Sequence, residues 1–119
     1  PEFTCSVRVQ HLPEQSSDEV QAFAYTVTIT NTGDVTAQLV ARQWLITDAE
    51  GHTEEVRGLA VVGHQPVLKP GEVFEYTSWT RLATPMGTMR GTFFCMTEDA
   101  RPFDAAVPEF VLARSQDLH

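Results

Sequence analysis

Gly58-Leu59-Ala60-Val61-Val62-Gly63, followed by His64, is a degenerate Gly-x-Gly-x-x-Gly. In a true phosphate cradle, glycines let the backbone approach the phosphates and a helix N-terminus supplies oriented N–H groups. Here the middle glycine is replaced by Ala60. The next residues are His64-Gln65-Pro66-Val67-Leu68-Lys69-Pro70, and two prolines at that spacing exclude an opening helix. The P-loop lysine and hydroxyl residue are also missing. Two readings of Gly58–His64 stand side by side. In one, the loop binds a small ligand, a nucleotide polyphosphate or a divalent cation. In the other, it is an apolar crossover between sheets whose Val61 and Val62 pack on the core or fill a surface patch that a protein partner covers.

Other side chains offer less. His11, His52, His64 and His119 show no His-x-His or His-x₃-His ligand spacing. A metal site would need distant groups to converge, such as His52 or His64 with Glu54 or Glu55, and loop carboxylates could hold Mg²⁺ weakly. Ser6, Ser16, Ser17, Ser78 and Ser115 lack a Gly-x-Ser-x-Gly elbow. Cys5 and Cys95 form no Cys-x-x-Cys, and Cys95 sits between Phe94 and Met96, a place for packing rather than attack. Two reduced, buried thiols are expected. No catalytic constellation and no cofactor motif emerges, so a non-enzymatic protein is expected.

The chain has 119 residues, one domain's worth, with 16 acids against 8 bases and a net charge of −8. Such a surface repels duplex DNA and anionic membranes, so neither is an expected partner. No run of about 18 apolar residues or signal-like start is visible, and a cytoplasmic protein is expected.

The elements that position these residues are strands. Phe23, Tyr25, Val27 and Ile29 alternate with Thr26, Thr28 and Thr30, the period-two pattern of a half-buried strand. Phe3, Cys5, Val7 and Val9 form one face of a first strand, about residues 3–12. A third strand, about 36–47, is apolar at both parities, with Val40, Trp44 and Ile46 on one and Leu39, Ala41 and Leu45 on the other. That pattern predicts a central strand covered on both sides, or one at a contact surface. His52–Arg57 reads as a short polar strand. Lys69-Pro70-Gly71 is a tight turn before a strand at 72–78 with Phe74 and Tyr76 inward. Met89, Phe93 and Cys95 face inward from residues 88–97. The last strand holds Phe103, Ala105 and Val107 on odd positions, then Phe110 and Leu112 on even ones. A β-bulge at Pro108-Glu109 would keep both halves facing the core. About seven short strands with turns between them and no helical period predict an all-β, antiparallel, immunoglobulin-like or fibronectin type III-like sandwich spanning residues 1–119. Trp44 stands where such domains carry their core tryptophan.

Val62–Ser78 contains Val-Gly-His-Gln-Pro, Pro-Gly-Glu and Tyr-Thr-Ser in order. Residues 23–29, 42–48, 84–91 and 107–110 carry further blocks of the same family pattern. Together they resemble the bacterial ApaG proteins over nearly the whole chain. The resemblance implies a fibronectin type III-like sandwich and a link to cobalt and magnesium homeostasis. It also implies gene neighbours for diadenosine tetraphosphate hydrolase and a ribosomal RNA dimethyltransferase. Related domains in eukaryotic F-box proteins look like protein-binding modules. Family members usually have Gly where this chain has Ala60 and Trp79. Ala60 weakens any phosphate role, and Trp79 makes its corner bulkier and offers an exposed indole.

The resulting expectation is a protein-interaction module that meets its partner through Trp79, Leu59, Val61 and the doubly apolar third strand. The alternative is the small-ligand binder at Gly58–Gly63. A homodimer is compatible with either.

Overall fold

Phe23, Tyr25, Val27 and Ile29 all enter one core from the second strand, as their alternation requires. The computed structural model of the protein describes residues 1–114; His119 and Ser115 lie outside the described residues. The strands are β1 (Phe3–His11), β2 (Gln21–Asn31), β3 (Ala37–Asp48), β4 (Thr53–Leu59), β5 (Val67–Leu68), β6 (Val73–Leu82), β7 (Gly87–Thr97) and β8 (Pro102–Leu112). A short 3₁₀ turn at Pro13–Gln15 lies between β1 and β2. Two antiparallel sheets result, β1-β2-β6 and β4-β3-β7-β8, with β5 pairing on β3. The sequence pattern of about seven strands missed β5, which is only two residues long. No helix of the described residues is long and apolar enough to cross a membrane.

The two sheets stack as a sandwich around Trp44. Its ring makes edge contacts with Tyr25 at 5.6 Å, Phe93 at 5.8 Å and Phe110 at 6.1 Å between centroids. Each such pair adds about 0.5–1.5 kcal/mol beyond its area burial. The room for the indole comes from Gly91, its register partner on β7: a Cβ there would lie 2.5 Å from the Trp44 ring.

Bulges keep the strands of the larger sheet in phase with the core. Across β7 and β8, Met89 pairs with Phe110 and Gly91 with Val107, so Pro108 and Glu109 together oppose Arg90. The sequence places the bulge at these two residues, and Phe110 packs against the core beyond it. A second bulge was not legible. On β3, Leu39 pairs with Cys95 and Ala41 with Phe94, which leaves Val40 as the extra residue. Ala37 and Leu39 are therefore buried before it, and Trp44 and Ile46 after it. This corrects the reading of β3 as a strand apolar on both faces. It is a central strand with one core face, whose parity changes at Val40.

Both cysteines are free, Cys5 partly buried and Cys95 buried. Burial pushes their thiols up, to about 11 and about 12. They are packing residues at neutral pH.

Candidate interaction surface

The Val40 bulge explains the glycine segment. Its carbonyl, turned out of the β3–β7 ladder, accepts the N–H of Ala60 at 2.8 Å and Gln65 Nε2 at 3.0 Å. Gln38 Nε2 donates to the Gln65 carbonyl at 3.0 Å, and Leu39 N to that of Pro66 at 3.0 Å. Arg42 completes the clamp: its Nη1 donates to the carbonyls of Leu59 at 3.0 Å and Ala60 at 2.8 Å. The guanidinium lies close over Gly58, where a Cβ would come within 2.7 Å of Nη1. A side chain at residue 58 would have to push the guanidinium aside. Burial pushes the Tyr25 and Tyr76 phenols above the ordinary tyrosine value, and the nearby Arg42 charge draws both partly back.

Gly58 and Leu59 belong to β4, not to a loop. Val61 is fully buried in the core, which removes it from any exposed surface. Val61 and His64 exchange backbone hydrogen bonds of 2.8 and 2.9 Å around Val62 and Gly63. Both central residues have positive φ, 49° and 81°, the pattern of a type I′ turn. Ala60 also has positive φ, 66°. The amides of Val61 and His64 are thus bonded inside the segment, and that of Ala60 is bonded to the Val40 carbonyl on β3. The Arg42 guanidinium nitrogen that reaches it is turned to carbonyls. The His64 ring packs on Phe74, centroids 5.9 Å apart. His52 meets Asp48 at 3.3 Å and Glu50 at 3.8 Å in the β3–β4 turn, not Glu54 or Glu55.

The residues expected to make one contact surface fall on opposite sides of the molecule. Trp79 stands on the outer face of the smaller sheet, 60% exposed, with Arg81 stacked 5.1 Å from its ring. Leu59 stands on the outer face of the larger sheet, 74% exposed. There it is not alone. The register sets Leu59, Ala41 and Phe94 side by side across β4, β3 and β7, and Val67, Gln38 and Met96 side by side across β5, β3 and β7. Leu59, Val67, Phe94 and Met96 are all exposed, and the bulged Val40 lies between the two rows. Val67, Gln38, Met96 and Glu98 also line a surface cleft of about 390 Å³ at one end of this face. Phe94 and Met96 were the residues sequence reasoning missed. The signal was present, since they alternate with the core residues Phe93 and Cys95.

A larger cleft, about 700 Å³, lies near the 3₁₀ turn, lined by His11, Ser16, Gln21 and Val111 among others. Ser16 Oγ donates to the Leu12 carbonyl at 2.8 Å and accepts the Ala22 amide at 2.9 Å. His11 Nε2 is shared between Gln21 Oε1 at 2.9 Å and Ser16 Oγ at 3.2 Å. The serine proton goes to the backbone, so the pair braces the turn and is not set up as nucleophile and base.

The ApaG domain model matches residues 11–97. The chain belongs to the ApaG family. It is 60% identical over 120 residues to Protein ApaG of Ralstonia nicotianae, covering 99% of this chain and 97% of the relative. Protein ApaG of Bordetella pertussis is 53% identical, covering 99% and 92%. The crystal structure of the putative ApaA protein from Bordetella pertussis superposes with a TM-score of 0.94 at 52% identity, covering 97% of this chain and 95% of that one. A Bacteroides uniformis β-glucuronidase shares the fold alone, with a TM-score of 0.62 at 14% identity over 14% of its length. Within the ApaG sequence pattern, the clamp residue Arg42 and the core residue Trp44 sit in one block, and the Val62-Gly63 turn opens another.

Proposed function

We propose that this ApaG domain is a non-enzymatic protein-interaction module whose partner covers the outer face of the β4-β3-β7-β8 sheet. The observation that carries this reading is the group of exposed apolar side chains Leu59, Val67, Phe94 and Met96 gathered at one end of this face. Exposed apolar patches bordered by polar residues mark contact sites. The border here includes the acidic residues Glu98 and Asp104 and the ion-paired Glu55 and Arg57. The segment 58–64 serves as the frame of that face, and its inward hydrogen bonds support a structural role over a phosphate-binding one. A connection to cobalt and magnesium homeostasis would run through the partner.

A photo-crosslinking residue placed at Met96, in the native cell, tests this. The expected result is one discrete adduct, absent when the same residue is placed at Thr88 at the far end of the face. Equal adducts from both positions, or none from Met96, would overturn the reading. Titration with ATP and Mg²⁺ followed by NMR is the second arm. Localised shifts at residues 58–64 at sub-millimolar ligand would favour the small-ligand alternative, and silence there supports the module.

A further inference from the structure

We infer that β6 is a self-complementary edge strand through which two copies of this chain pair antiparallel about a two-fold axis. This surface is separate from the face proposed above and stands on its own observations.

Five strands lie at the sheet edges, and four are blunted, β5 by its length of two residues. β8 carries Pro102, Pro108 and a bulge. β1 packs beside β8, with Phe3 and Phe103 in edge contact at 5.3 Å. β4 is short and carries Glu54, Glu55 and Arg57. Prolines, bulges and charges are the usual defences of a sheet edge. β6 has ten residues, no proline and no bulge, and pairs only with β2 among the described residues.

The backbone phase shows what the edge offers. Asn31 N donates to the Glu72 carbonyl at 3.0 Å, one step beyond the Thr30–Val73 pair. Hydrogen-bonded pairs alternate along an antiparallel ladder, so even-numbered β6 residues turn their amides toward β2. Glu75, Thr77, Trp79 and Arg81 turn theirs to the open edge. Their side chains share the outer face and are exposed.

Only odd-with-odd registers can satisfy these amides. One register pairs Trp79 with its own copy and sets Thr77 against Arg81. Another pairs Thr77 with its copy and sets Glu75 against Trp79. A further one sets Val73 against Trp79 and Glu75 against Thr77, and leaves Arg81 without a partner across the strand. The register centred on Ser78 places Glu75 opposite Arg81 and Thr77 opposite Trp79, each twice by symmetry. Directly opposed unlike charges and aromatic–β-branched pairs are the favourable cross-strand combinations. Of these registers, the one centred on Ser78 alone makes both kinds of pair, and its two-fold symmetry makes a closed, isologous dimer. The second copy also covers the Trp79 indole.

Sedimentation equilibrium up to millimolar concentration tests the pairing. Wild type should approach twice the monomer mass of 13.2 kDa. Arg81→Glu and Glu75→Arg should each raise the dissociation constant at least about tenfold. The charge-swapped double variant should return it to within about threefold of wild type. In the wild-type dimer, amide exchange at Glu75, Thr77, Trp79 and Arg81 should slow as concentration rises, a readout that needs no variant. A monomer at every concentration overturns the proposal. So does a dimer indifferent to both reversals whose odd β6 amides exchange freely.

Discussion

Val62 is a β-branched residue at φ 49°, more than half exposed, in a turn that favours Asn-Gly. Val62→Asn should stabilise the protein by about 1 kcal/mol, read as a raised midpoint in urea. An unchanged or lower midpoint would show that the valine conformation is better supported than its surroundings indicate. Gly91 is the opposite case. Gly91→Ala drives a methyl into the Trp44 ring and the Gln43 carbonyl, which would lie 2.7 Å away. We expect a loss of about 3 kcal/mol in chemical denaturation. A loss below about 0.5 kcal/mol, within the range of ordinary surface changes, would mean that the indole shifts freely.

At the scale of elements, the two bulges differ in how plainly the sequence shows them. The one on β8 carries a proline and an abrupt change of parity from Val107 to Phe110, so it can be read directly. The one on β3 sits among Leu39, Val40 and Ala41, where every residue is apolar and no Gly or Pro marks the slip. Alternation therefore looked like two buried faces. The same ambiguity hides the outer patch, because Phe94 and Met96 are no less apolar than the core residues Phe93 and Cys95 that alternate with them. The strands, the turns and the core tryptophan were legible because each has a local chemical signature. The β3 bulge, the Arg42 clamp and the separation of Leu59 from Trp79 were not, because register between distant strands decides them. Deleting Val40 tests the bulge. Because Val40 is the extra residue, its removal should leave Leu39 opposite Cys95 and Ala41 opposite Phe94, with Ala37, Leu39, Trp44 and Ile46 still on the core face. The deletion should keep a dispersed NMR spectrum while the Ala60 amide, which loses the Val40 carbonyl, exchanges faster. A collapsed spectrum from the deletion would refute this.

For the whole molecule, acid is the informative variable. Desolvation raises the Asp48 carboxyl, but the amides of His52 and Glu50 and the His52 ring outweigh it and hold it below its ordinary 3.8. Thr97 and Arg101 lower Asp99 in the same sense. The folded chain thus binds these protons less readily than the unfolded chain. Their stabilisation is complete above the ordinary carboxylate range and is lost as pH falls through the lowered values. The melting temperature should be level above about pH 5 and fall below about pH 4. Asp48→Asn with Asp99→Asn should lower it at pH 7 and flatten the acid slope; an equally steep slope would remove these two turns as the cause. The clamp built on Val40 and Arg42 also bears on the order of assembly. It ties β3, β4 and β5 into a unit whose contacts lie within about thirty residues of one another. The β2–β6 ladder, by contrast, must close loops of roughly fifty. Short loops close at lower entropic cost, so this unit is placed to form before the β2–β6 ladder. Arg42→Met should slow refolding, whereas variants at the β6 edge should mainly hasten unfolding. The segment that looks like a ligand cradle would then have its use in time rather than in chemistry, as the piece that must lock before the second sheet can land.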